Sequence, residues 1–329
     1  MGRVTVELGA VQETMLLPLI ARAVEMRSKR PMVHDPKSLE IAEALEYDFR
    51  NFRAARRSRI GCLMRGLQFD DWVRAFLAEH PTGTIVELGA GLNTRFERLD
   101  NGQAHWVDVD LPDSMALRRQ FFDPHPRRKW VADSITNVDW QAVVRECPGP
   151  VCFVSEAVLV YLPLPAVQQL MGQLAAEFPG SWMLCDFVHP DVVRDQHRHD
   201  ALKHTQARLA WGLESAREMS DWAEGLTVVD VADMQIIGQR YHRRMPLGMK
   251  LMGLMLKLLA PQVSRSYTLT RLQLGGCPMA VGVTSAAVPV VDSDSDSAEA
   301  TPLCTASAPG GMLPAPAQAS NTSTLAVKP

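Results

Sequence analysis

From residue 84 onward the chain changes rhythm. Short β-rich runs at 84–88, 105–109, 129–132, 151–154 and 182–187 alternate with stretches at 112–122, 138–147 and 164–178 whose apolar residues recur at helical spacing. Strand, helix, strand, helix predicts an α/β fold, a mostly parallel twisted sheet with helices on both faces. The run 151–154 is apolar throughout, which suits a central strand covered on both sides. Turns are marked by Pro81-Thr82-Gly83, Asn101-Gly102 and Pro148-Gly149-Pro150.

Before residue 80 the spacing is helical, at 15–26, 39–49 and 63–77, with no clear strand. After 187 a polar stretch, 191–222, reads as helical and is long for a simple crossover. It is expected to form part of a lid over a pocket. Two late strands follow at 226–231 and 267–274; in the second, Arg271 and Gln273 alternate with Leu272 and Leu274, as on an exposed sheet edge. The expected layout is a helical region over 1–80 that completes the pocket and a core over 81–285 with lid segments near 190–222 and 233–260. A tail over 286–329 completes the chain. That tail is rich in Ser, Ala, Pro and Thr, carries the acidic run 292–296 and has no aromatic residue. It cannot bury enough apolar surface to offset chain entropy and is expected to be disordered.

Composition narrows the classes. Of 329 residues, 47% are hydrophobic and 22% charged, as in a globular protein with a sizeable core. A net charge of −3 leaves no basic footprint for nucleic acid. Arg56-Arg57 and Arg127-Arg128 read as solvated surface. The most apolar helical run, 245–260, is shorter than the roughly 20 residues that span a bilayer. Lys250 and Lys257 share one face of it, so a buried or capping helix is expected rather than membrane insertion. The six cysteines form no Cys-x-x-Cys pair and read as free thiols in a reducing compartment. The amino terminus lacks a secretory pattern, and the expected location is the cytoplasm.

Candidate chemistry gathers at strand ends. Ile85-Val86-Glu87-Leu88-Gly89-Ala90-Gly91-Leu92 delivers a strand into a bend where Gly89 and Gly91 let a ligand approach the backbone. The third glycine of a dinucleotide fingerprint is replaced by Thr94, which argues against NAD or FAD and is compatible with a nucleoside cofactor that lacks pyrophosphate. Asp110, closing the next strand in Asp108-Val109-Asp110, can accept from both ribose hydroxyls; the alternative is that it caps the next helix. Asp133 can accept from an adenine amino group while Ser134 offers its amide, and here too helix capping is the alternative. Ser155-Glu156 and Tyr161 follow the strand at 151–154. All four clusters lie at carboxyl ends of strands, where open α/β sheets bind ligands.

These residues resemble a known family. Glu87 through Arg95, then Arg98-Leu99, then Val107-Asp108-Val109-Asp110-Leu111-Pro112 is similar to the leucine carboxyl methyltransferase family, whose bacterial branch includes the tetracenomycin-type polyketide O-methyltransferases. The likeness continues through Ala132-Asp133, Trp140 and Glu156 to Leu162, loosely covering 20–275 and closely 84–165. It implies a Rossmann-like class I methyltransferase fold and S-adenosyl-L-methionine as cofactor. By the same resemblance Arg65 binds the methionine carboxylate, assisted by Lys29 or Arg30. Glu87 belongs to the glycine motif, Gly89 approaches the methionine end, Asp110 binds ribose, Asp133 and Ser134 the adenine, and Glu156 lies beside the cofactor. Two departures stand out. Asn93 replaces the family's aspartate. Ile135 follows Ser134 where members acting on a protein C-terminus carry arginine, which favours a small-molecule acceptor, free or on a carrier protein.

Methyl transfer from a sulfonium is an in-line displacement that depends on alignment and exclusion of water. A carboxylate acceptor needs no base; a hydroxyl does. Asp186 and His189 are candidate bases, with His197, His199 and His204 on the stretch that follows, and Tyr161 is the candidate for orienting the acceptor. His197, His199 and His204 read as a solvated helix face, and their spacing makes no zinc site. The expected activity is O-methylation of a small-molecule carboxyl or hydroxyl, such as a polyketide. The alternatives are protein C-terminal carboxyl methylation and a non-catalytic cofactor-binding scaffold.

Overall fold

Helical spacing and caps set the amino-terminal elements. A two-residue strand, β1 (Val4–Thr5), precedes α1 (Leu16–Glu25), α2 (Pro36–Ala44), β2 (Leu45–Glu46), α3 (Arg50–Ala54) and α4 (Arg56–Glu79). Asp35 accepts from the Ser38 amide and Pro36 occupies the first turn, so α2 starts there. β1 and β2 pair in parallel. No strand is expected in this region from the sequence, because two-residue strands are too short to leave a period-two pattern.

A computed structural model describes residues 3–245, 250 and 266–276. The helix expected over 245–260 falls almost wholly outside the described residues, as do the tail from 286, Cys277 and Cys304. Cys62, Cys147, Cys152 and Cys185 are free thiols. No helix among the described residues is long and apolar enough to cross a membrane.

The remaining elements alternate. They are β3 (Thr84–Leu88), α5 (Arg95–Leu99), β4 (His105–Asp110), α6 (Pro112–Arg118), β5 (Arg128–Ala132), α7 (Trp140–Arg145), β6 (Val151–Ser155), α8 (Leu164–Glu177), β7 (Trp182–Val188), α9 (Pro190–Arg194), β8 (Thr227–Asp233), α10 (Met234–Arg240) and β9 (Tyr267–Gln273). Seven strands form one sheet in the order β5-β4-β3-β6-β7-β9-β8. The first five run parallel, and β9 lies antiparallel between β7 and β8. The sheet is therefore Rossmann-like and mostly parallel, and the order reverses between β3 and β6. Sheets of this kind bind ligands outside the strand ends next to such a reversal.

Because side chains alternate along a strand, each sheet face has its own core. Ile85, Trp106, Cys152, Val154, Trp182 and Leu184 meet α1 to α4 and α10 on one face. Val86, Val107, Phe153, Met183 and Cys185 meet α7, α8 and the chain after β7 on the other.

Three expectations are corrected. β9 is an interior strand, and β8 is the edge; Arg271 stacks on Trp182 at 4.4 Å, which keeps its charged head over an apolar strand. Arg128 is buried, donating to Asp108 at 2.7 Å and Glu97 at 2.6 Å, because β5 places it beneath α6 rather than on the surface. The stretch 191–222 is not one helix. After α9 come single turns and an extended strap in which Ala207, Leu209, Trp211 and Leu213 are buried at every second position. The strap's amides at Ala210 and Leu213 donate to Val160 and Val188 carbonyls, and Trp211 Nε1 donates to Leu159 O at 3.0 Å. Period two, hidden among polar neighbours, was the signal for it.

Gly212 fixes how closely the strap approaches β7. A Cβ there would lie 2.6 Å from Val188 O and 2.9 Å from His189 C, both backbone atoms that cannot yield. Gly212→Ala is expected to lower stability by roughly 1–3 kcal/mol, the cost of overpacking. Urea denaturation checks this, and an unchanged midpoint would contradict the close approach.

Candidate active site

The bend after β3 is bare for two reasons. Gly89 and Gly91 have φ of +77° and +46°, the left-handed region that glycine enters without strain. A Cβ on Gly89 would collide with the Val158 side chain, and one on Gly91 would come within 3.1 Å of Met15 Cβ. The amides of Gly89 and Ala90 donate to Val109 O at 2.8 and 3.2 Å, tying the bend to β4. Gly91 N donates to Asp110 Oδ2 at 2.6 Å, and Leu111 N to Oδ1 at 2.7 Å.

Asp110 is half-buried, and burial pushes its carboxyl pKa up despite those amides. α6 begins at Pro112 with Leu111 as its cap residue, so Asp110 stands one residue ahead of the capping position. Two acceptor oxygens beside a side-chain-free bend fit a ribose diol. The next strand end comes close through the Asp133 amide, which donates to Asp110 O at 2.9 Å. Asp133 and Ser134 are half-buried. Asp133 Oδ1 accepts from Ser134 N at 2.8 Å and Asn137 Nδ2 at 2.6 Å, local bonds that engage one of its two oxygens.

Beneath the bend runs a connected row of buried charge. Arg22 of α1 pairs with Asp35 at 2.8 Å, and Arg98 lies 3.9 Å from Asp35. Arg98 also pairs with Asp70 of α4, which meets Arg95 at 3.0 Å. Arg95 reaches Glu87 of β3 at 2.6 Å and Glu156 at 2.7 Å. Glu156 meets Arg65 of α4 at 2.9 Å, and Arg65 lies 3.8 Å from Asp186 of β7. Burial raises the Glu87 pKa although Arg95 grips it. Burial would raise Glu156 also, yet Arg65 and Arg95 hold it down at about 2.

The row ends at a strained turn. Ala157 has φ +55°, a conformation a residue with Cβ adopts only when its surroundings impose it. Asp186 imposes it: both of its oxygens accept the Ala157 amide at 2.9 Å. Tyr267 of β9 donates to Asp186 Oδ2 at 2.7 Å and accepts from Arg65 Nη1 at 3.0 Å. Burial pushes Asp186 up to about 6 against the pull of Arg65, Tyr267 and Ala157. The turn swings Glu156 toward the arginines and sets Val158 over Gly89.

The remaining candidates are scattered differently. Tyr161 closes the single turn after β6, half-buried, and burial pushes its hydroxyl up to about 12. His189 follows β7; its Nδ1 accepts from Asp191 N at 3.2 Å, capping α9. Lys29 and Arg30 are exposed in the turn after α1, and among the described residues neither contacts the cluster. Arg22 is the amino-terminal cation that does. His197 lies in one short turn that His199 caps, and His204 ends the next. Arg22, Arg118 and Tyr267 escaped notice in the sequence. For the two arginines the signal was available: each sits on the apolar stripe of its helix, among buried Leu19, Ala23, Met115 and Leu117.

Comparison with known proteins places the chain in a family. The family model for leucine carboxyl methyltransferase matches residues 15–175. The chain is 30% identical over 224 residues to the tetracenomycin polyketide synthesis O-methyltransferase TcmP of Streptomyces glaucescens, covering 68% of this chain and 82% of that protein. It is 25% identical over 255 residues to the S-adenosyl-L-methionine-dependent methyltransferase dpfgK of Gibberella zeae, covering 68% and 82%. Among solved structures, a duf574 family protein from Streptomyces avermitilis superposes with a TM-score of 0.48 at 14% identity, covering 78% of this chain and 97% of that one.

Asp186 and Glu156 make opposite contributions to stability. A carboxyl raised from 3.8 to about 6 favours the fold when protonated, so that stability is present below 3.8 and is lost as pH rises to about 6. The gap is worth roughly 3 kcal/mol. Glu156, lowered from 4.5 to about 2, contributes stability above 4.5 that is lost as pH falls toward 2. Urea denaturation of wild type and Asp186→Asn from pH 4 to 7.5 is expected to show the wild type losing ground against the variant as pH rises. A constant difference would contradict a raised Asp186.

Proposed function

From the premise that the chain belongs to the leucine carboxyl methyltransferase family and is an S-adenosyl-L-methionine-dependent methyltransferase, we propose that it methylates a carboxylate oxygen of a small molecule. The observation that carries this reading is that neither Asp186 nor His189 is free to act as a base, and that Tyr161 beside them is no base either. Asp186 has no exposed surface and its oxygens are occupied by Ala157 and Tyr267. Tyr161, held up at about 12, stays protonated at neutral pH. His189 uses Nδ1 to cap α9, so in the neutral ring the proton sits on Nε2, which then donates rather than accepts. Donors without a base suit an acceptor oxygen that is already anionic.

The cofactor, when bound, supplies an electrophilic methyl group on a sulfonium. The chain's residues do the positioning. The bend at Gly89 and Gly91 admits close approach, Asp110 receives the ribose hydroxyls, the second oxygen of Asp133 meets the adenine while the Ser134 amide is spent on Asp133 Oδ1, and Arg65 receives the methionine carboxylate. Among the described residues Arg65 spends Nε on Glu156 and Nη1 on Tyr267, leaving Nη2 without a partner. Glu87 and Glu156 hold the arginines rather than touch the acceptor. Lys29 lies too exposed to share in this grip. His189 Nε2 and the Tyr161 hydroxyl orient the acceptor, and the strap over 206–213 walls the pocket from water. A small carboxylic acid is preferred to a protein C-terminus on the strength of Ile135 and the polyketide-pathway relative.

Radiolabelled methyl transfer into small-molecule extracts tests the reading. The product is expected to be an ester, releasing labelled methanol in mild alkali, and a base-stable ether would overturn it. Label in a protein fraction would favour the C-terminal alternative. Asp110→Ala is expected to weaken cofactor binding by roughly tenfold or more, the loss of a charge-assisted hydrogen-bonding pair. His189→Ala should slow transfer without shifting the pH profile, since no proton is removed.

A further inference from the structure

Two buried arginines between them engage four consecutive carbonyls of the glycine bend. Arg118, the last residue of α6, sends Nη1 to Gly91 O at 2.7 Å, Asn93 O at 2.9 Å and Ala90 O at 3.5 Å. Arg22 sends Nη2 to Leu92 O at 3.1 Å. Four consecutive carbonyls are thus drawn inward by two guanidinium groups from two different helices. Both arginines are buried. Each charge is offset on its far side: Asp108 faces Arg118 at 3.1 Å, and Asp35 faces Arg22 at 2.8 Å. Phe122 lies against the Arg118 guanidinium at 4.3 Å.

We infer that Arg118 and Arg22 are positioning residues for cofactor binding: they hold the carbonyl edge of residues 90–93 inward and so preset the bend, with its Gly91 amide on Asp110, before the cofactor arrives. The inference rests on the reading that this bend carries the cofactor. Glycine makes the bend permissive and therefore entropically costly to fix. A loop with two glycines in three residues needs an external device to stay in one conformation, and binding gains affinity when ordering is already done. Arginine suits the task. Its planar fork holds several donors in fixed directions, whereas lysine supplies one compact charge on a flexible stem. No group in this arrangement touches reacting atoms, so the effect belongs in cofactor affinity and not in the chemical step.

The test uses the full chain and S-adenosylhomocysteine, which binds without reacting. Calorimetry on Arg118→Lys and Arg22→Lys should show affinity weakened roughly tenfold to a hundredfold, as expected for lost hydrogen bonds from a charged group. In methyl-transfer assays KM for S-adenosylmethionine should rise in step, with kcat at saturating cofactor nearly unchanged. Hydrogen exchange should quicken at the Gly91 and Asn93 amides. Arg127→Ala, which loses the Asp100 ion pair and the bond to Ala104 O away from the bend, is the control and should bind like wild type. Should Arg118→Lys fail to fold, Arg22→Lys carries the same comparison through Leu92. Folded variants with unchanged affinity, or with kcat lowered at constant KM, would overturn the inference. A wild-type chain that takes up no S-adenosylhomocysteine would overturn the cofactor reading instead.

Discussion

Charge buried against charge is the constraint on which this fold and its site depend. Arg22, Asp35, Arg98, Asp70, Arg95, Glu87, Glu156, Arg65 and Asp186 form a connected row through the interior, joining α1, α4, α5, β3, β7 and the turn after β6. Each ion alone would cost several kcal/mol to bury, and each is tolerable only because its neighbours are in place. The row therefore behaves as a unit. Its members cannot be exchanged singly without stranding a charge, and the amino-terminal helices cannot dock on the sheet without completing it.

The row also converts packing into geometry. Its upper members set the two turns that frame the pocket. Arg22 reaches past Asp35 to a carbonyl of the glycine bend, and Asp186 holds Ala157 in a left-handed turn that carries Val158 over Gly89. The bend below and the turn above are thus fixed from inside the protein. A site built this way is rigid where alignment matters, which suits an in-line transfer governed by orientation.

The acceptor side is different in character. The strap over 206–213 is held by backbone bonds to Val160 and Val188 and by every second side chain, so its polar residues are free to vary. On the proposed reading, Tyr161 and His189 offer hydrogen bonds on that side, which suits an acceptor oxygen that is already anionic.

The sequence by itself determined the alternation of strands and helices, the glycine bend and the acids at 110 and 133. These are local: period, turn chemistry and motif spacing act over a few residues, and parallel strands buried on both faces leave unbroken apolar runs. It also determined the family, through the string from Glu87 to Pro112. Tertiary structure alone decided which charges are buried. Arg128 reads as surface until β5 places it under α6, and Asp186 reads as a base until Ala157 and Tyr267 occupy it. β9 reads as an edge until it inserts between β7 and β8. The partners in each case lie far apart in the chain, and no local pattern encodes a contact between residues 65 and 267 or between 22 and 92.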